Sequence, residues 1–125
     1  MRLALDFTDA SHMIRAYGDG WVAISQQRLT ASIIVTPRQL ITDWPPQSFS
    51  DLEADHFARI AALEPAPEIV ILGTGPRQRF PRPELLRPLL ERRLGVEVMD
   101  TAAACRTYNI ILAEGRRVAA ALLMI

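Results

Sequence analysis

The sequence predicts a three-layer α/β domain with a mixed central sheet. Three observations carry that reading: the apolar run Ile69–Leu72 ending in Gly73-Thr74-Gly75-Pro76, a strand-helix alternation through the C-terminal half, and β-like segments around a Gly18-Asp19-Gly20 turn in the N-terminal half. Strands joined through helices become parallel neighbours, because a parallel connection needs a crossover of about a dozen residues. A meander ahead of them adds antiparallel strands. With 125 residues, 50% of them hydrophobic, the chain suits one core and is read as a single domain over 1–125.

Each element has a local cause. Ile14–Tyr17, Trp21–Ile24 and Ala31–Val35 are rich in β-branched and aromatic residues and read as the N-terminal meander. Between Pro37 and Phe49, three prolines block regular structure, and Trp44 is expected to anchor the loop on the core. Ser50-Asp51-Leu52-Glu53 matches a capping box, so a helix of about three turns should follow, with Leu52, Phe57, Ile60 and Leu63 inward and Pro65 and Pro67 ending it. After the glycine turn, Pro83 suits a first helical position. Leu85, Leu86, Leu89, Leu90 and Leu94 then recur at helical spacing, Pro88 should bend the helix, and Gly95 should stop it. Val96–Met99 alternates like a strand. Asp100 or Thr101 can cap a helix running to about Ala113, which Gly115 ends, and Val118–Ile125 is apolar on both faces, as a central strand must be.

Composition removes several function classes. Lys+Arg and Asp+Glu both number 14, so no global field draws in nucleic acid or an anionic membrane. All the basic residues are arginine, which excludes Schiff-base chemistry and a Walker-type lysine. The stretch Met1–Ala10 carries Asp6 and Asp9, unlike a signal or transit peptide, and Val118–Ile125 is far shorter than the roughly 20 apolar residues of a membrane span. A single cysteine, Cys105, suits a reducing compartment, and the cytoplasm is the expected location. One cysteine and two separated histidines, His12 and His56, suggest no metal site and no Cys-His pair.

The candidate binding residues fall into two groups. Gly73, Thr74 and Gly75 follow a strand, where backbone N–H groups and a hydroxyl can cradle an anion, and Arg77, Arg79 and Arg82 beside them could clamp a phosphate or carboxylate. A dinucleotide fingerprint would need glycine at position 78, which is Gln78. Asp100, Thr101, Tyr108 and Asn109 form the second group. If the Val96 strand lies parallel to the Ile69 strand, both carboxyl ends open on one crevice and Thr74 and Thr101 face each other. The plain structural reading is equally concrete: a turn, a solvated loop, a helix cap, a packed tyrosine and a loop-tying asparagine. Cys105 sits near the first turn of a helix, where a dipole can lower a thiol pKa, but the Ala102–Ala104 run beside it points to tight, inert packing.

Tyr17-Gly18 with Gly20, Ser32-Ile-Ile-Val-Thr-Pro37 with Trp44, Ile71-Leu-Gly-Thr-Gly75, Gly95-Val-Glu-Val-Met-Asp-Thr101, Thr107-Tyr-Asn109 and Val118-Ala-Ala-Ala-Leu122 together make the chain resemble a known family. It is the Mth938-like, DUF498-type family of small α/β domains of unknown function, which includes a mitochondrial complex I assembly factor and an adipogenesis-associated vertebrate protein. The resemblance implies one three-layer domain, a protein-binding role and no established reaction. The expectation is a non-catalytic binding or assembly-factor domain of bacterial type. It needs no cofactor, binds a protein partner through the face around Gly73 and Thr101, and uses Trp44 and the proline loop as a contact edge. It is a monomer or weak dimer. The alternative is a small anionic-ligand binder or enzyme using the Gly73-Thr74-Gly75 crevice.

Overall fold

A strand that is apolar on both sides has to lie inside a sheet, and Val118–Leu123 does: all six residues are buried. A computed structural model describes residues 12–125, so the stretch Met1–Ala10 lies outside the described residues. The strands are β1 (Ile14–Gly18), β2 (Trp21–Ile24), β3 (Gln27–Leu29), β4 (Ile33–Val35), β5 (Leu40–Ile41), β6 (Ile69–Thr74), β7 (Gly95–Met99) and β8 (Val118–Leu123). The α-helices are α1 (Ala54–Ala61), α2 (Arg87–Glu91) and α3 (Thr101–Ala113). A five-stranded sheet runs in the order β5-β4-β8-β6-β7, with β8 antiparallel to β4 and parallel to β6. The sheet is therefore mixed, as expected.

Alternation along β8 makes two cores. Val118, Ala120 and Leu122 pack with Ile71, α3 and the N-terminal strands, whereas Ala119, Ala121 and Leu123 pack with Val70, Leu72, α1 and α2. Three alanines in the central strand let the covering layers approach closely. The outer layers are α1 with α2 on one face, and α3 with the small sheet on the other.

The N-terminal half departs from a simple meander. β1, β2 and β3 form their own antiparallel sheet, and the predicted Ala31–Val35 strand leaves it to become β4 of the central sheet. Ile33, Ile34 and Val35 are buried on both faces, which a small exposed sheet cannot provide. β3 is an unpredicted strand. Its residues Gln27 and Arg28 are exposed, and its hairpin places Ser25 at φ 55, a conformation usually signalled by glycine or asparagine. The proline loop also holds the short strand β5.

Caps shift relative to expectation. Ser50 is not a cap: Asp51 accepts from the Ser48 N–H at 3.2 Å to start a short 3₁₀ turn at Phe49–Asp51, and His56 Nδ1 accepts from the Glu53 N–H at 3.0 Å to start α1. Leu52, Phe57, Ile60 and Leu63 do face the core. Trp44 is buried, donates through Nε1 to the His56 carbonyl at 3.1 Å and stands edge-on to Phe57. It anchors the loop but offers no contact edge to a partner. Pro88 does not bend a long helix. A 3₁₀ turn at Pro83–Leu86 gives way to α2, and Pro88 falls in the first turn, where its missing N–H costs nothing.

Gly95 opens β7 instead of ending α2. The stop is supplied by Arg93, whose N–H donates to Leu90 O at 2.9 Å while Leu94 N–H reaches Leu89 O at 3.2 Å. The same pattern ends α3, with Gly115 N–H to Leu112 O at 2.9 Å and Arg116 N–H to Ile111 O at 3.4 Å. Both stop residues are left-handed, Gly115 at φ 79 and Arg93 at φ 58. Left-handed backbone costs a residue with a Cβ about 1 kcal/mol. Gly115→Ala should therefore lower the stability in urea by about 1 kcal/mol, and Arg93→Gly should raise it by somewhat less; shifts of the same sign would refute the strain argument.

Candidate functional site

The carboxyl ends of β6, β7 and β8 come together because the three strands are parallel, with Gly73 opposite both Met99 and Leu122. α3 starts at this edge. A Cβ on Gly73 would lie 2.9 Å from the Thr101 hydroxyl and 3.1 Å from Ala104 Cβ, so the glycine is what lets the helix approach the sheet.

Thr101 then closes the junction. Its hydroxyl donates to the Leu123 carbonyl at 2.6 Å and accepts from the Gly75 N–H at 2.8 Å, while its own N–H donates to the Gly75 carbonyl at 2.9 Å. Both the N–H and the C=O of Gly75 are used by one residue. Gly75 can turn here because its φ is 97, and Thr101 is fully buried. Asp100 precedes it as the helix cap, accepting from the Ala103 N–H at 2.8 Å.

Thr74 is equally committed. Its hydroxyl donates to the Arg77 carbonyl at 2.6 Å, lies 3.2 Å from the Met99 carbonyl, and accepts from the Arg79 N–H at 3.2 Å. The two threonines thus serve separate bonds inside the fold and do not face each other across an open crevice. What the turn offers outward is the loop 76–82. Pro76 through Phe80 are all exposed, and Phe80 keeps 71% of its surface in solvent. Gln78 Nε2 donates to the Val98 carbonyl at 3.0 Å, satisfying an edge-strand acceptor, and the Arg79 guanidinium stacks 4.3 Å from the Phe49 ring centre. The loop is held at several points yet fully presented. Beneath it lies a cavity of about 160 Å³ bordered by Phe49, Thr74, Gly75, Arg77, Arg79 and Leu123.

The second group of candidates is split by the length of α3. Tyr108 lies seven residues beyond Thr101, a rise of about 10 Å. Its hydroxyl donates to the His12 carbonyl at 2.7 Å, and Asn109 binds both backbone groups of Ile14, accepting its N–H at 3.0 Å and donating to its C=O at 2.8 Å. Asn109 therefore imitates a neighbouring strand and ties β1 to α3. Gly73, Thr74, Gly75, Arg77, Asp100 and Thr101 meet at one edge; Tyr108 and Asn109 do not join them. Phe80, Gln78 and the Arg79–Phe49 stack escaped sequence reasoning, because a loop residue has no periodicity to mark the direction of its side chain.

Cys105 is buried, and desolvation pushes its thiol up from 9.0 to about 12, with Arg106 opposing weakly. Burial also raises the Tyr108 phenol above its ordinary 10.0. Neither group is ionised near neutral pH, which leaves no thiolate for nucleophilic attack. Among the described residues no group of three or more His, Cys, Asp and Glu side chains is placed to hold a metal ion.

Thr101→Val strands a buried N–H and a buried C=O and should cost about 3 kcal/mol in urea unfolding, whereas Thr101→Ser, which keeps the hydroxyl, should recover most of it. A raised thiol pKa means that the unfolded state releases its proton first. The thiol's contribution to stability is therefore constant below pH 9 and falls between pH 9 and about 12, with Tyr108 adding to the decline above pH 10. Relative to Cys105→Ala, the protein should lose about 2 kcal/mol between pH 8 and pH 10.5; equal pH slopes would show that the thiol is not desolvated.

Comparisons with known proteins agree with this architecture. A family model for proteins of unknown function (DUF498/DUF598) matches residues 14–123. Bovine NADH dehydrogenase (ubiquinone) 1 alpha subcomplex assembly factor 3 is 34% identical over 110 residues, covering 88% of this chain and 59% of that protein. The chain spans about three-fifths of the length of the curated relatives it matches. A crystal structure of a Bordetella parapertussis protein superposes with a TM-score of 0.86 at 46% identity, covering 93% of this chain and 98% of the other. A Bordetella pertussis solution structure described as a Mth938-like domain gives 0.77 at 40% identity, over 90% and 85% of the two chains. With its central sheet, its Gly75–Thr101 junction and both flanking layers inside the matched span, the chain belongs to the DUF498/DUF598 family of Mth938-like α/β domains.

Proposed function

We propose that this chain is a non-catalytic protein-binding domain that assists the assembly of a respiratory NADH dehydrogenase, engaging its partner through the loop 76–82. The observation that carries the reading is the 34% identity to the bovine assembly factor, spread over 88% of the chain. The geometry supports it from another side. The N–H of Gly75 and both threonine hydroxyls are consumed internally, which favours a presenting scaffold over an anion cradle.

Arg77, Phe80 and Arg82 are exposed on a loop whose segment Gly75–Pro83 contains no acid, and arginine with aromatic residues is the usual chemistry of interface hot spots. Because the chain has no net charge, this patch is a local feature that suits an acidic partner surface. No helix among the described residues is long and apolar enough to cross a membrane. The proposed setting is the cytoplasm, in keeping with a lone, buried Cys105.

The test is recovery of partners by gentle purification of the tagged chain, at natural abundance, from its own host. NADH dehydrogenase subunits should co-purify, and the double variant Arg77→Glu/Phe80→Asp should recover at least tenfold less while melting at an unchanged temperature. Absence of those subunits from the wild-type sample would sink the assembly reading; equal recovery by the variant would remove the loop from it.

A further inference from the structure

A second feature lies at the other end of the central sheet, one β8 length away from the loop 76–82, or about 20 Å. It is a cavity of about 210 Å³ lined by the apolar Pro37, Pro65, Pro67, Leu112 and Val118 together with the exposed Arg38, Arg116 and Arg117. The prolines have no N–H to donate, so the interior can hold hydrocarbon without leaving backbone donors unpaired.

Among the described residues, basic side chains outnumber acidic ones around this cavity. Arg116 lies 3.4 Å from Glu68 and 3.7 Å from Glu114, and Arg117 lies 3.9 Å from Glu68 while its Nε donates to the Ala66 carbonyl at 3.0 Å. Among the described residues these ion pairs set Arg116 and Arg117 against Glu68 and Glu114, and Arg38, which lines the same cavity, has no carboxylate partner. These ion pairs are long and half-exposed, the kind worth little, and the arginines can turn to a better acceptor without loss of fold. The end of α3 nearby would repel an anion, but the Gly115 and Arg116 N–H groups already cover two of its last carbonyls.

From this arrangement we infer that the cavity is a subsite for a small amphipathic monoanion: a carboxylate held by Arg38 and its neighbours, on a short apolar chain against Leu112, Val118 and the prolines. At the roughly 30 Å³ that a water-sized group takes up in a liquid, the cavity holds about seven non-hydrogen atoms. Hexanoate, with its head group at the arginines, matches that size.

The experiment is a titration of the whole chain with sodium hexanoate, followed by the backbone amide shifts of Arg38, Gly115, Arg116 and Arg117, with hexan-1-ol as the uncharged counterpart. Saturable shifts with a low-millimolar midpoint, at least fivefold weaker for the alcohol, are expected, and Arg38→Glu should weaken hexanoate at least tenfold while leaving the melting temperature unchanged. No saturable shift up to about 20 mM, roughly ten times that midpoint, would overturn the inference. So would equal midpoints for acid and alcohol, or an Arg38→Glu variant that binds hexanoate as the wild type does. None of these results depends on whether the loop 76–82 binds a protein.

Discussion

The hydroxyl of Thr101 is the interaction on which the rest of this structure depends. It is fully buried, donates to the end of β8 and accepts from the turn that follows β6, while the backbone N–H of the same residue holds the other side of that turn. One residue thus joins two parallel strands and the start of the helix that crosses them. The arrangement requires Gly73, because any side chain there would displace the threonine, and Gly75, because the turn passes through left-handed backbone. In a dry setting each of these hydrogen bonds matters chiefly for what its loss would leave unpaired.

That closure decides what the edge can do. In an open α/β sheet the carboxyl ends of the strands usually frame a ligand crevice. Here the donors of the turn are spent on the protein itself, and chemistry passes to the loop beyond it. Thr74 ties down Arg77 and Arg79 through their backbone groups, Gln78 seals the exposed acceptor of β7, and the arginine side chains with Phe80 are left outward. A loop already held in place loses little entropy on binding, which is the advantage of a preorganised contact surface.

Much of the fold was legible because burial writes periodicity into the chain. The apolar runs of β6 and β8, the helical spacing of Phe57 and Ile60, and the glycine after α3 all stand where their patterns put them. What stayed hidden has a physical explanation in each case. β3 has only the half-buried Leu29 beside exposed Gln27 and Arg28 and turns on a serine, so neither alternation nor glycine announces it. The start of α1 depends on a histidine acting as acceptor, a role that no capping pattern contains. Of the candidate site, the convergence of Gly73, Gly75 and Thr101 was foreseeable from parallel strands. The separation of Tyr108 and Asn109 follows from the rise of the helix that carries them.

By itself, the sequence determined the layer architecture, the central place of Val118–Leu123 and the edge where turn and helix meet, since these follow from local patterns of apolar and turn-forming residues. Only the tertiary structure decided which polar groups stay available. Whether the Gly75 N–H points to a ligand or to Thr101, and whether Trp44 or Phe80 faces solvent, depends on partners far apart in the chain, and no local pattern records such pairings.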